Sequence, residues 1–520
     1  MQKKISIKAL PSEAASHSIL QKIIAQTCGI SPDKISGFHL LKQSIDARGK
    51  QVWFHLTINV FIDEPYQAVQ LMPLELKDVT YSGGKVIVIG AGPAGLFAAL
   101  RLIEQGIKPI VLERGKDVRA RRRDLAAINK EGIVNPESNY CFGEGGAGTY
   151  SDGKLYTRST KRGDVYKVLS MLVHFGADEK ILYEAHPHIG TNKLPHIITA
   201  IRNTIIKYGG EVLFEKKVVD FIVEKNTIAG IATADGDTMK ADAVILATGH
   251  SARDIFQLLQ AKKILIEAKP FALGVRVEHP QALIDTIQYH CPSRGDYLPP
   301  AAYSLVQQVN GKGVFSFCMC PGGIIAPAAT NANEIVVNGW SPSKRNNPYA
   351  NSGIVVSVEE KNVQPFKKYG PLVAMYFQAS VEEKAFKEGG GKLAAPAQRM
   401  VDFSENKISS SLPGCSYLPG IHSTDLKQVL PPFIHQSLQI AFKEFGKKMK
   451  GYFTNDAVVV ATESRTSSPI RIPRNNDDLQ HPQIKNLYPC GEGAGYAGGI
   501  VSAAMDGEKI ANQIAKTILH

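Results

Sequence analysis

No stretch of this 520-residue chain stays apolar for the roughly 20 residues that a membrane-spanning helix requires. Its longest apolar runs, such as Val86 to Ile89, have only the length of a strand. The opening residues, Met-Gln-Lys-Lys-Ile-Ser-Ile, lack the apolar core of a secretory signal. The seven cysteines are scattered and odd in number, which excludes a disulfide framework. Cys318 and Cys320 form a lone Cys-x-Cys with no second pair at zinc-ligand spacing, so no metal is expected. Internal repeats and low-complexity tracts are missing too, which excludes solenoids and disordered tails. A reducing, cytoplasmic setting with no membrane partner is the expectation.

What is present describes an ordinary globular chain. Hydrophobic residues make up 44% and charged residues 21%, and the length exceeds what one core normally organises, so two or three domains are expected. The net charge of +12 would suit a nucleic acid, a membrane surface or an acidic substrate. Its densest runs are Arg119, Arg121, Arg122, Arg123 and Lys447, Lys448, Lys450. Aromatic residues do not interleave with the arginines as they do in single-strand binders, which disfavours nucleic acid without excluding it. Nothing in the residues speaks to an oligomeric state.

Residues 1–80 form a first module. Lys4 to Ala9 alternates as a strand, His17 to Thr27 carries apolar residues at helical spacing, and Phe38 to Ile45 and Val52 to Ile62 are two more strands around a turn at Arg48-Gly49. This β-α-β-β order predicts a small α+β domain. Residues 81–264 begin a dinucleotide-type unit, with a strand at Lys85 to Ile89, a helix over Pro93 to Gln105 and a second strand at Pro109 to Leu112. An antiparallel ribbon is predicted over Val212 to Val223 and Thr227 to Ala234, and a buried strand over Ala243 to Ala247. Residues 265–455, rich in proline, glycine and short strands, form an inserted substrate-side domain. Residues 456–520 return to the first unit and close it with a helix.

The sharpest motif is Gly90-Ala-Gly92-Pro93-Ala94-Gly95, a G-x-G-x-x-G that follows a strand and opens a helix, with Glu113 ending the next strand. Gly90 permits the turn, Gly92 keeps the pyrophosphate's space free, Gly95 lets helix and strand approach, and the helix N-terminus faces the phosphates. Glu113 accepts hydrogen bonds from ribose hydroxyls and repels a 2′-phosphate, which disfavours NADP here.

Three further segments make the chain resemble FAD domains of the glutathione-reductase kind. They are Lys217-Val218-Val219-Asp220, the strand Ala241-Asp-Ala-Val-Ile-Leu-Ala-Thr248-Gly249, and Leu487-Tyr-Pro-Cys-Gly491-Glu492-Gly-Ala-Gly495. Gly143 to Lys154, Phe315 to Gly323, Thr462 to Arg471 and Gly491 to Gly499 extend the resemblance to bacterial-type FAD-dependent oxidoreductases, the "NAD(FAD)-utilising dehydrogenases". That resemblance implies an α/β protein: an FAD-binding Rossmann-type (GR2-like) domain, an inserted mixed α+β, β-rich domain and the small N-terminal α+β domain. It also implies non-covalent FAD and redox catalysis on a small-molecule substrate that it does not name. Only one full fingerprint is present, so NAD(P)H would dock transiently as reductant, or the substrate itself would reduce the flavin. Two other readings stay open: an RNA-associated flavoprotein, and a ligand-binding protein with structural FAD. The expected cofactor residues are Gly90, Gly92, Pro93, Ala94, Gly95, Glu113, Arg114, Arg121 or Arg123 at the pyrophosphate, Gly145, Gly146, Val218, Thr248, Gly249, Gly491, Glu492, Gly499 and Ile500. Where such flavoproteins have Gly-Asp, this chain has Gly491-Glu492, which keeps the carboxylate.

Beyond cofactor binding, the glycine-dense loop with Ser151, Asp152 and Lys154 would lie near the flavin or an anionic substrate. Cys318 and Cys320 would share one face of a strand, as a redox pair or as small buried hydrophobes; Cys490 carries the same two readings. Arg465 and Arg471 would clamp an anion or be structurally paired. His250 is a further cofactor-side candidate.

Overall fold

The computed structural model describes residues 1–157 and 163–518. Strands Gln2–Ala9, Trp53–Ile62 and Ile35–Asp46 form an antiparallel sheet in that spatial order. Strict alternation puts Ile5, Ile7, Leu56, Ile58 and Val60 on one face, where Leu20 and Ile24 of helix His17–Cys28 meet them. Gly29, at φ 71°, ends that helix in the left-handed conformation that favours glycine.

The second unit is a five-stranded parallel sheet, in the order Leu487–Pro489, Ala243–Leu246, Lys85–Ile89, Lys108–Leu112, Glu211–Leu213. Its three central strands are mostly apolar because both faces are covered, one by helices that include Pro93–Glu104 and Ile500–Ile518, the other by residues 218–231 and helix Arg253–Ala261. Helices Pro93–Glu104 and Ile500–Ile518 cross closely on one side: a Cβ on Gly507 would stand 2.1 Å from the Ala94 carbonyl oxygen. The ribbon expected from residue 212 starts later. Glu211–Leu213 joins the parallel sheet, Glu215 turns the chain at φ 56°, and the antiparallel meander is Val218–Glu224, Thr227–Thr233 and Thr238–Lys240.

The third unit is built on a seven-stranded sheet, ordered Val306–Val309, Lys312–Cys320, Tyr349–Val358, Phe271–Pro280, Val458–Glu463, Ala395–Arg399, Ile421–Ser423. Its two longest central strands, Phe271–Pro280 and Tyr349–Val358, pair antiparallel along their whole length, so this region is less broken than its proline and glycine content suggests. Helices Val373–Glu388 and Pro432–Lys448 contribute to its core. Val458–Glu463 sits inside this sheet, so the return to the parallel unit falls after this strand and not at 456. All six of its residues are buried, a pattern shared by a strand of either sheet.

Glu278 lies within this sheet at 1% exposure. It accepts the Ser416 N–H at 2.7 Å and the Ser416 hydroxyl. Burial lifts its carboxyl from 4.5 to about 7. The folded chain therefore holds a proton that the unfolded chain releases at lower pH. That contribution is complete below about pH 4.5 and fades as the pH rises to about 7. Urea midpoints at pH 5 and pH 7 should differ less in Glu278→Gln than in the parent, by about 2 kcal/mol of unfolding free energy. Equal pH dependence in the two proteins would contradict this.

Candidate active site

The carboxyl ends of the parallel strands open into a cavity of about 1040 Å³ whose far wall belongs to the seven-stranded sheet. This is the place where open α/β sheets bind ligands. Gly90 turns the chain at φ 108°, and a Cβ there would stand 2.5 Å from the Ala247 carbonyl oxygen. Gly92 differs. Its φ of −77° suits any residue, yet a Cβ would meet nothing within 4 Å, because Gly92 borders the cavity. Pro93 takes the first helical position, where its missing N–H is no loss. The turn at residues 146–148 closes over this helix start: a Cβ on Gly148 would lie 3.5 Å from Pro93 and 3.4 Å from Ile500. A bare glycine at a helix N-terminus facing a cavity fits a pyrophosphate.

Glu113 is 5% exposed and holds the turn together. Its Oε2 accepts the Ala91 N–H at 3.0 Å, and its Oε1 accepts those of Gly115 and Gly143, both at 2.9 Å. A carboxylate has about four acceptor positions, so one remains for a ribose hydroxyl. Glu113→Ala should strand these three donors and weaken FAD retention by about 1–3 kcal/mol. Equilibrium dialysis of FAD would read the change, and unaltered affinity would reject the role.

At the same end, Arg114 is tied to Glu137 at 2.6 Å and Asp254 at 3.0 Å, and stacks 4.1 Å from the Phe142 ring centre. Val218 borders the cavity beside Lys217. Thr248, Gly249, Glu492, Gly499 and Ile500 line another stretch, and the 249 and 493 loops touch, since a Cβ on Gly493 would stand 2.3 Å from the Gly249 carbonyl oxygen. Glu492 is half-buried. Desolvation lifts its carboxyl to about 7, against the pull of Lys269.

Several expected cofactor residues lie outside the cavity lining, Gly95 in the helix–strand packing role expected of it. Gly95, Gly145 and Gly491 are packed behind the cavity wall: their Cβ atoms would meet Gly90 O at 1.9 Å, Thr149 Oγ1 at 2.0 Å and Ala94 Cβ at 2.9 Å. Arg121 does not reach the phosphates. It is fully buried, and its guanidinium donates to the carbonyls of Asn139 at 2.8 Å, Glu144 at 2.8 Å and Tyr140 at 3.0 Å. Arg123 is exposed on helix Val118–Glu131 and outside the cavity lining. Cys490 is buried away from the lining, and Arg471 is exposed beside Tyr496.

The far wall carries Lys154, Cys318 and Cys320. The Lys154 ammonium donates to the Met319 carbonyl and lies 3.9 Å from Cys320 Sγ. The two cysteines do not share a face of a regular strand. A bulge separates Phe317 from Cys320, Cys318 has φ 44°, and Cys318 opens to the cavity while Cys320 is buried. Desolvation pushes the Cys318 thiol up to about 11, against the pull of Lys154 and Arg276, which opposes a reactive thiolate. Beneath them, fully buried Arg276 reaches Glu463 at 3.0 Å and the Cys318 carbonyl at 2.7 Å. Arg465 borders the cavity, but its donors are committed to Glu334 at 2.7 Å, to both oxygens of Glu382 at 3.0 and 3.1 Å, and to Thr330 at 2.8 Å. This is structural pairing, not an open clamp. His250 lines the cavity, and burial beside Arg465 and Arg253 pushes it down to about 4, so it is neutral at pH 7.

The structure adds side chains that no motif announced: Arg345, His186, Tyr303 and Asn338. Arg345 grips Asp152 through Nε at 3.1 Å and Nη2 at 2.6 Å. The two stand far apart in the chain, and a lone arginine in a Ser-Pro-Ser-Lys stretch carries no periodic signal.

Comparison with known proteins agrees with this architecture. Residues 84–267 match the family "Pyridine nucleotide-disulphide oxidoreductase", residues 270–466 match "FAD-dependent protein, C-terminal domain-like", and residues 1–61 match a domain of unknown function. The chain belongs to a family of FAD-dependent oxidoreductases. One full-length relative is an uncharacterized protein of Clostridium beijerinckii, 40% identical and covering 96% of each chain. A thiamine thiazole synthase of Aeropyrum pernix is 28% identical over 32% of this chain and 55% of its own. Among solved structures, a tetracycline destructase aligns over 84% of this chain and 82% of that chain, with 13% identity and TM-score 0.34. L-proline dehydrogenase from P. horikoshii aligns over 84% and 94%, with 13% identity and TM-score 0.33. No helix among the described residues is long and apolar enough to cross a membrane.

Proposed function

We propose that the chain binds FAD non-covalently along this cavity and moves electrons to or from a small molecule held against the seven-stranded sheet, with NAD(P)H docking transiently as the reductant. The observation that carries the reading is the shared cavity: Gly92 of the dinucleotide turn and Lys154 beside the far wall line the same space. FAD, once bound, supplies hydride and electron transfer. The protein's own residues bind and orient. The helix opening at Pro93 faces the pyrophosphate, Glu113 offers its remaining acceptor to a ribose hydroxyl, and Val218 covers the adenine through its backbone. Thr248, Gly249, Gly499 and Ile500 border the flavin end. Glu492, near its own midpoint at neutral pH, can donate or accept a hydrogen bond there.

The test is the visible spectrum of the purified protein, followed anaerobically after adding NADH or NADPH. A flavin band that bleaches supports the whole reading. A bound flavin that stays oxidised with both nucleotides overturns the part given to NAD(P)H and turns the search to metabolite donors. A protein that takes up no FAD overturns the reading altogether.

A further inference from the structure

The cations on the cavity wall are almost all matched by carboxylates. Arg114 and Lys217 share Glu137 and Asp254. Lys216 has Asp235 and Asp237. Arg465, with Arg253 behind it, has Glu334 and Glu382. Among the described residues, one place departs from this balance. Asp152, at 3% exposure, faces both Arg345, at 2.6 Å, and Lys154, at 3.8 Å. Two cations there share one carboxylate. Glu184 also feels Arg345, but Lys180 acts on it more strongly. His186 and His188 add no charge at neutral pH, since burial pushes both down, His188 to about 4.

The donors are oriented as well as unbalanced. Asp152 takes the Nε and Nη2 edge of Arg345, and Nη1 has no hydrogen-bond partner among the described residues. An ammonium has three donors, and Lys154 spends one on the Met319 carbonyl and a weaker one on Cys320 Sγ at 3.9 Å, which leaves one. The chain itself carries this pair away from the cofactor turn. Residue 148 touches Pro93 and Ile500, whereas residues 152–155 pair with 187–190 through the Leu155 N–H to Pro187 and the Ile189 N–H to Gly153. The surrounding wall includes an apolar and aromatic part, Tyr156, Pro187, Tyr303, Phe317, Met319 and Pro321, beside polar Ser304, Ser316 and Asn338.

We propose that Lys154 and the free edge of Arg345 form the anion subsite for the substrate, and that the substrate is a monocarboxylate with an apolar body. The single excess positive charge matches one carboxylate, and the two donors match its two oxygens. A phosphate dianion would exceed the charge on offer. Asp152 is a positioning residue: it holds Arg345 through Nε and Nη2 and leaves Nη1 unengaged. This inference rests on the cavity being the substrate site.

The experiment is calorimetric titration of the full-length, FAD-loaded protein with benzoate, benzamide and inorganic phosphate. Benzoate should bind at least about tenfold tighter than benzamide, the worth of one charge-assisted contact, and should weaken as salt is added. Lys154→Met should lose about that tenfold for benzoate and little for benzamide, and Lys154→Arg should recover most of it. The subsite is overturned if benzoate binds no tighter than benzamide, if Lys154→Met leaves benzoate affinity unchanged, or if phosphate binds tighter than benzoate. Calorimetry reads the subsite whether or not the flavin turns over. Failure of benzoate with flavin still reducible therefore condemns the subsite alone, and a chain that takes up no FAD but still discriminates benzoate condemns only the flavin reading.

Discussion

A Gly92→Val protein folds and carries no FAD. The backbone at Gly92 is ordinary, with φ −77°, so valine brings no conformational strain of the left-handed kind. The space its Cβ enters is open, with nothing within 4 Å, so no protein atom resists it. What it meets is the volume that a pyrophosphate would fill at the N-terminus of helix Pro93–Glu104. The expected result is a loss of FAD affinity of at least about a hundredfold, or roughly 3 kcal/mol, with the cofactor-free chain melting within a few degrees of the cofactor-free parent. Gly95→Val is the contrast. Its Cβ would stand 1.9 Å from the Gly90 carbonyl oxygen, a backbone atom that cannot swing aside, so helix and strand must separate, at a cost above the roughly 1–3 kcal/mol of ordinary overpacking. That variant should fail by unfolding and not by flavin loss alone. Visible absorbance and circular dichroism on both variants separate the two. A yellow, fully loaded Gly92→Val protein would sink the cofactor assignment, and a normally stable Gly95→Val would show that the helix does not lean on the turn.

The fingerprint was legible because its physics is local. Turn, helix start and second strand follow one another in sequence; Gly92 answers to the ligand and Gly95 to Gly90, although Gly90 itself lies against distant Ala247. The small N-terminal sheet was legible for the same reason, since Gln2–Ala9 and Trp53–Ile62 alternate, although Ile35–Asp46 is bulged and does not. Long-range pairing was not. Val458–Glu463 is buried on both faces and could have belonged to either sheet; only its neighbours Phe271–Pro280 and Ala395–Arg399 decide. Arg121 belongs to a charged run that looks solvated, yet its helix turns it toward three carbonyls of the 139–144 loop. Cys318 and Cys320 suggested one strand face until a bulge separated them. The Asp152–Arg345 pair needs two segments that meet only in the fold.

Arg465 makes the same point with the larger energy. As a substrate clamp its loss would raise KM and leave stability alone. Its geometry says the reverse. Side-chain exposure is 5% for Arg465, 0% for Glu382 and 8% for Glu334, and Arg253 reaches Glu382 at 2.9 Å from the other side. Two cations and two carboxylates balance, and removing one cation leaves a buried negative charge in excess. Arg465→Met should therefore destabilise the protein by about 3–5 kcal/mol, the usual result of breaking a buried pair from one side. Urea unfolding should show a lower midpoint with an unchanged slope. The pH dependence follows from Glu382, whose carboxyl is held well below its usual 4.5 by Arg253 and Arg465 despite burial. A depressed carboxylate contributes stability that is present above the unfolded value and is lost as the pH falls below it. The parent should lose stability on acidification below about pH 4.5, and Arg465→Met should lose less over the same span because only Arg253 then holds the Glu382 carboxyl down. If Arg465→Met instead unfolds like the parent at every pH and weakens only turnover, the cluster is a substrate clamp after all, and its carboxylates must release the guanidinium when the substrate arrives.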